Sequence, residues 1–305
     1  MSFRSKYALT ALCLATSSVA SSAVAQTTTT APPDPTLNIT LGGFANYAAD
    51  TDLHDSGGSF SVFRSGGNLL FERPISASTD LRINVGGEYS HYYFRNIAAV
   101  PGDDGSDSLD AFQLDVRPTI SHRFNENLSA FGGISVTASG MADADFGESL
   151  SYGAFGGVTY RVAPNVWIGG GLAISSQLED DALVVPLLSV NWQITPDWSL
   201  SSEGLGLKLA YKFDDAWTAY VRARYDFRQF RLDSSEIVSD GVLTDQSVPI
   251  TIGVNYDFGD GLKMAAEAGV VAYRRLEFRD SGGDQVGADE ADPAAFVSVQ
   301  VTYSF

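Results

Sequence analysis

The chain has 305 residues, 44% of them hydrophobic, with 19 Lys and Arg against 37 Asp and Glu and a formal net charge of −18. So acidic a balance disfavours nucleic-acid binding, which needs basic surface. The single cysteine, Cys13, excludes an intramolecular disulfide, and no apolar run of about 18 residues follows the N-terminal region, so membrane-spanning helices are excluded as well.

Residues 1–25 read as a secretory signal peptide. Arg4 and Lys6 form a basic start, Tyr7 to Ala15 a short apolar stretch, and Ala23-Val24-Ala25 a small-residue cleavage site. Cys13 falls inside this signal, behind a bulky Leu12 that argues against lipid attachment. Cleavage before Gln26 leaves 17 basic and 37 acidic residues, a net of −20. Thr27 to Thr30 and then Ala31-Pro32-Pro33-Asp34-Pro35 make residues 26–36 a flexible periplasmic leader, too short for a plug domain.

Residues 37–305 alternate apolar and polar side chains in stretch after stretch, the period-two signature of strands, and no stretch has helical periodicity. The predicted strands are 37–47, 60–73, 81–95, 109–123, 128–139, 150–162, 166–178, 184–195, 198–203, 205–213, 216–231, 248–258, 262–278 and 294–305. Short connections, such as Ala163–Asn165 and Asp214–Asp215, alternate with long acidic ones near 48–59, 96–108, 140–149, 232–247 and 279–293. That alternation is expected of periplasmic turns and extracellular loops. The predicted fold is therefore all-β: one up-and-down antiparallel transmembrane β-barrel of 14 strands. If residues 198–213 form a hairpin outside the wall, the count falls to 12. The final strand carries Val297, Val299, Val301, Tyr303 and Phe305 on one face and Ser298, Gln300, Thr302 and Ser304 on the other. Val301, Tyr303 and Phe305 have the pattern of a barrel-assembly signal, which makes the assembly machinery an expected partner alongside outer-membrane lipid and lipopolysaccharide.

The faces follow from cost, since a charge on the lipid face at mid-depth costs about 2–4 kcal/mol. Arg222, Arg224, Asp226 and Arg228 share one parity, opposite to Trp217, Ala219, Val221, Ala223, Tyr225 and Phe227, so the charges are expected to point into the lumen. The same rule sends inward Arg64, Glu72, Arg82, Glu88, Asp115, Arg117, Lys208, Lys263, Glu267, Arg275 and Glu277. The lumen-lining candidates are Arg222, Arg224, Asp226, Arg228, Glu88, Asp115, Arg117 and Glu267. Arg222, Arg224 and Arg228 are expected to oppose Glu88, Asp115 and Glu267 across the lumen. Two roles fit: a charged lining that orients small polar solutes, or a salt-bridged network that fills the barrel.

No catalytic motif is present: no G-x-S-x-G, HExxH or P-loop. Adjacent Ser90 and His91 fall on opposite faces of a regular strand and cannot act as nucleophile and base. Asp103-Asp104-Gly105-Ser106-Asp107 lacks the closing Glu and the helices of a calcium loop. The expectation is a non-enzyme with no cofactor and no metal.

Three segments carry a resemblance: Pro186-Leu187-Leu188-Ser189-Val190-Asn191-Trp192 with Pro196-Asp197-Trp198; Arg222-Ala223-Arg224-Tyr225 through Phe230-Arg231-Leu232-Asp233 with Ser247-Val248-Pro249; and Asp292-Pro293-Ala294 to Tyr303-Ser304-Phe305. They resemble a family of uncharacterised, porin-like bacterial outer-membrane β-barrels known only as a domain of unknown function. The resemblance implies a barrel in the bacterial outer membrane and supplies no substrate. The expected function is a passive channel for small polar solutes; a non-conducting structural or surface-interaction barrel is the alternative.

Overall fold

The computed structural model describes residues 37–55, 57–95, 108–234, 236 and 238–305. The signal peptide, the leader and the acidic stretch 103–107 lie outside the described residues. Sixteen strand segments form a single sheet: β1 (Asn38–Asp52), β2 (Ser59–Ser76), β3 (Thr79–Arg95), β4 (Ser108–Arg123), β5 (Leu128–Met141), β6 (Leu150–Ala163), β7 (Val166–Gln177), β8 (Asp180–Gln193), β9 (Trp198–Ser202), β10 (Gly206–Lys212), β11 (Trp217–Arg224), β12 (Asp226–Arg231), β13 (Val242–Gly259), β14 (Leu262–Arg279), β15 (Gln285–Ala291) and β16 (Ala294–Ser304). β11 and β12 run end to end along β13, and β15 and β16 run end to end along β14. The sixteen segments thus make fourteen staves, and the barrel is closed, antiparallel and up-and-down. The ring shuts where β1 pairs with β16, from Thr40 against Ser304 to Ala48 against Phe296.

Alternation places the predicted faces where cost requires. On β13, Ile250, Ile252 and Val254 are exposed outward while Thr251 and Gly253 are buried inward. Aromatic pairs ring the end that carries the short turns: Trp198 with Tyr211, Trp217 with Tyr256, Tyr256 with Phe258, and Tyr303 with Phe305. Exposed aliphatic side chains above them form the band that hydrocarbon covers in a membrane barrel. We call the short-turn end inner and the long-loop end outer.

Three departures from the simple reading matter. First, β13 starts at Val242 and β15 occupies Gln285–Ala291, so two predicted loops contain strand. Both stretches pack at the outer end, where the strands rise past the band. Second, the register of β14 against β13 shifts between Tyr273 and Val271, leaving Ala272 as an extra residue. A bulge of one residue flips the faces beyond it. Above it Arg274 is the buried residue, at 2% exposure, in place of the expected Arg275.

Third, β12 leaves the wall. Its outer tip meets β5 in a parallel bridge, Arg231 against Gly140, although five strands stand between β5 and β11 in the ring. A Cβ on Gly140 would lie 3.0 Å from the Arg231 backbone oxygen, tight enough that the two strands would have to part by a few tenths of an ångström. Phe227, expected to face lipid, is only 7% exposed, because both faces of a strand inside the barrel are covered.

Candidate functional site

Inside the outer end lies an apolar cap. Leu53, Phe60, Val62, Phe94 and Leu109 from the β1–β4 side pack against Phe230, Leu232, Leu243, Leu276 and Phe278 from the inward-leaning side. Directly associated with it is a buried ion network centred on Asp245. Arg64 donates from Nη2 to Asp245 Oδ2 at 2.5 Å. Arg274 donates from Nε to Oδ1 at 3.0 Å and from Nη2 to Oδ2 at 2.5 Å. The Tyr92 hydroxyl donates to Oδ2 at 2.8 Å, and the Arg274 guanidinium lies over the Phe60 ring, 4.9 Å from its centroid. Glu88, 3.7 Å from Arg64, adds a second carboxylate and takes a two-pronged bond from Arg228, at 2.5 and 3.0 Å.

The lumen candidates divide into three groups. Arg228 and Glu88 meet between β12 and β3, across the lumen. Arg224 bonds Asp226 two residues along the chain, at 2.9 Å, and Asp226 lies 3.8 Å from Arg228. Arg222 bonds Glu267 at 2.5 Å, two staves away along the same wall, and Glu267 also accepts from Tyr220 Oη at 2.7 Å. There a Cβ on Gly253 would strike the Tyr220 ring at 2.4 Å, so glycine makes room for the phenol. Asp115 faces Arg117 on its own strand at 3.9 Å and accepts from Asn84 Nδ2 at 3.4 Å. The expected cross-lumen opposition is thus formed by Arg228 and Glu88, while Arg222, Arg224 and Asp115 find partners along the wall. Sequence reading missed Asp245, Arg274 and Tyr92. Asp245 shares the inward parity of Thr251 once the strand is extended back to Val242, and that was the available signal.

Against β12 lies a small polar cavity of about 50 Å³. Ser135, Thr137, Ser139, Ser151, Ser175 and Ser176 line it with hydroxyls; Gln113, Gln177, Gln229, Arg117 and Arg228 complete its polar wall, and Phe227 and Leu178 its apolar one. Toward the inner end, Arg82 and Lys263 remain substantially accessible, with side chains 49% and 57% exposed.

Ser90 is buried and donates to Glu88 Oε1 at 3.1 Å, whereas His91 is on the exterior, 2.6 Å from Asp110. The two do not meet. Among the described residues, no group of three or more His, Cys, Asp and Glu side chains could hold a metal ion.

No curated protein sequence matches the chain. Among solved structures, it is similar to the COG4313 outer membrane channel from Pseudomonas putida F1, at 11% identity and a TM-score of 0.49, covering 88% of this chain and 96% of that one. It is also similar to the P. putida toluene transporter TodX, at 11% identity and a TM-score of 0.45, covering 89% and 90%. The translocator domain of the autotransporter NalP from Neisseria meningitidis gives 11% identity and a TM-score of 0.39, covering 89% and 90%. Likeness at this level says nothing about cargo. A family model does match, over residues 113–304, which include the inward-leaning strand, all of the hydroxyl-lined cavity and the closing stave. The chain therefore belongs to the family described as Domain of unknown function (DUF6268).

Proposed function

We propose that the protein is a bacterial outer-membrane channel for small solutes, shut at its outer end in the state described here. The observation that supports this is the gradient of burial along the lumen: accessible charges below, a hydroxyl-lined cavity at mid-height, and the Asp245 network with its apolar cap above. A barrel built only as a rigid wall has no need of a vestibule. Mixed charge below and hydroxyls above suit small polar groups, with Arg228 and Glu88 at the constriction. Export through the periplasm follows from the signal-like N-terminus. Recognition by the barrel-assembly machinery is assigned to Val301, Tyr303 and Phe305, and lipid and lipopolysaccharide are the surrounding partners.

The apolar cap favours a second reading, a non-conducting structural or surface-interaction barrel. Planar-bilayer recording separates the two. The channel reading expects rare openings in the native protein and more frequent ones in Arg228→Ala, which releases β12 from Glu88. It also expects a change in ion selectivity in Arg224→Glu. Silence in all three proteins, each inserted and folded, refutes the channel.

A further inference from the structure

Between β8 and β12 the strand pairing of the wall is interrupted at hydrocarbon depth. β9 and β10 have 5 and 7 residues, below the about 9–11 that a tilted strand needs to span the bilayer. Above this low hairpin, β8 and the next full-length stave should meet. They do not, because that stave continues as β12, which leans inward to β5. β8 pairs with β9 only through Asn191–Gln193, so Leu183–Ser189 have a strand partner on the β7 side alone. The Val190 N–H points toward β9, where it bonds Ser202 Oγ at 2.8 Å. Strand alternation therefore aims the missing N–H of Pro186 at the open edge, where proline is tolerated. Counting up from Trp192 in the aromatic belt at ~3.3 Å per residue with a tilt near 40°, Leu188 and Val184 stand about 10 and about 20 Å higher, within an apolar band about 25 Å tall.

The frame of this interruption is held in place. Below, Tyr225 donates its N–H to Leu205 O at 3.2 Å. Above, Gln229 accepts from the Leu178 N–H at 3.1 Å, and Arg231 bonds Glu179 at 2.6 Å. β8 is apolar on both faces beside it. Val184, Pro186 and Leu188 face out, Leu188 at 78% exposure. Leu183, Val185 and Leu187 face in and pack with Ala173, Phe155 and Leu205. Inward apolar side chains are out of place in a watery lumen. Two residues further out on the same inner wall, Ala173 gives way to Ser175; on β6, Phe155 gives way across Gly153 to Ser151 of the cavity. A greasy patch at the interruption thus runs into a hydroxyl-lined pocket.

The geometry points to a lateral port. An uncharged, hydroxyl-bearing amphiphile passes between bilayer and lumen through the gap bounded by β8 and β12. Its apolar chain lies on Leu183, Val185 and Leu187, and its hydroxyl head sits among Ser135, Ser151 and Ser175. Arg228 is held by Glu88 at 2.5 Å and Arg117 faces Asp115 at 3.9 Å, so both positive charges of the pocket already have a carboxylate beside them, which favours an uncharged head. The inference rests on the reading of the lumen as a solute site and names the class of solute.

Hydrocarbon access is tested on the mature chain, which has no native thiol if the signal is cleaved. Leu187→Cys, Leu188→Cys and Ser135→Cys are each labelled with a fluorophore and reconstituted with lipids brominated on the acyl chains. The port requires loss of fluorescence at 187 and at 188, with none at 135; quenching at 188 alone overturns it. Solute class is tested on the unsubstituted protein in vesicles, with decanol carrying a diazirine at its tail. Adducts mapped by mass spectrometry are expected on Leu183, Leu187 or Leu205 and are expected to be lost in Val185→Trp. Adducts confined to outward residues overturn the proposal. Quenching and inward adducts in a protein that never conducts would support the port and remove only the channel reading.

Discussion

Asp245→Ala tests the outer closure most directly. Asp245 is 0% exposed and holds Arg64 and Arg274, both buried, through three guanidinium bonds and a fourth from Tyr92. Removing one partner of a buried ion pair costs about 3–5 kcal/mol, because the remaining charge stays out of water. Two arginines are stranded here, but Glu88 stands 3.7 Å from Arg64 and takes up part of that charge, so the upper half of that range, about 4–5 kcal/mol, is the expected loss. The assay is reversible urea unfolding in lipid vesicles, followed by tryptophan fluorescence, with outer-loop proteolysis as a second probe. Adding Arg274→Ala to Asp245→Ala should recover more than 1 kcal/mol, since the sites share a bond and couple by about 0.5–3 kcal/mol. A single-variant loss below about 1 kcal/mol would show that the network is wet or readily rearranged, and the closure argument would fail.

Three further outcomes are expected. Ile252→Arg places a charge on an outward position 68% exposed at mid-strand; vesicle unfolding should show a loss of about 2–4 kcal/mol, and no loss would mean that hydrocarbon does not cover this face. Arg231 donates to Glu148 O, Asp240 O and Glu179 Oε1, so Arg231→Ala should raise protease cleavage within 142–149 and 232–241 while leaving the inner turns protected. His54 Nε2 lies 2.9 Å from Asp292 Oδ1, and that bond raises the imidazole pKa above its ordinary value of 6.5. The folded value exceeds the unfolded one, so the contact contributes fully below the unfolded pKa and is lost as pH rises through the folded value. An NMR titration of the His54 ring should therefore give a midpoint above 6.5 that falls back in Asp292→Asn, and an unchanged midpoint would dismiss the pairing.

The legible part of the fold was the part governed by a single cost. Charge avoids lipid and strands alternate, so Ile250 to Val254 and Arg222 could be assigned to faces without coordinates. The short stretch 198–213 was legible as two strands, because Asp214–Asp215 and Pro196–Asp197 both had to lie at one end. Parity fails where the wall stops being a wall. Phe227 looks lipid-facing because its neighbours alternate correctly, yet its strand has moved indoors. Arg275 reads as inward because nothing in Ala272-Tyr273 announces a bulge. Partner choice was the least legible feature: whether Arg222 meets Glu267 or Glu88 depends on stagger around the ring, which no linear pattern encodes.

The pairing of β1 with β16 has a consequence for how the molecule comes into being. The amide of Phe305 donates to the carbonyl of Ile39 at 3.0 Å, across almost the whole described length. That seam cannot be zipped until the last stave has been delivered. Until then, two ribbons with raw backbone edges must be shielded from one another and from other copies, and escort must last as long as delivery does. Once the seam is shut, Ile39 and Phe305 lie side by side at the same rim. A short peptide joining them would move the seam to any other inner turn, and with it the order in which the staves are laid down.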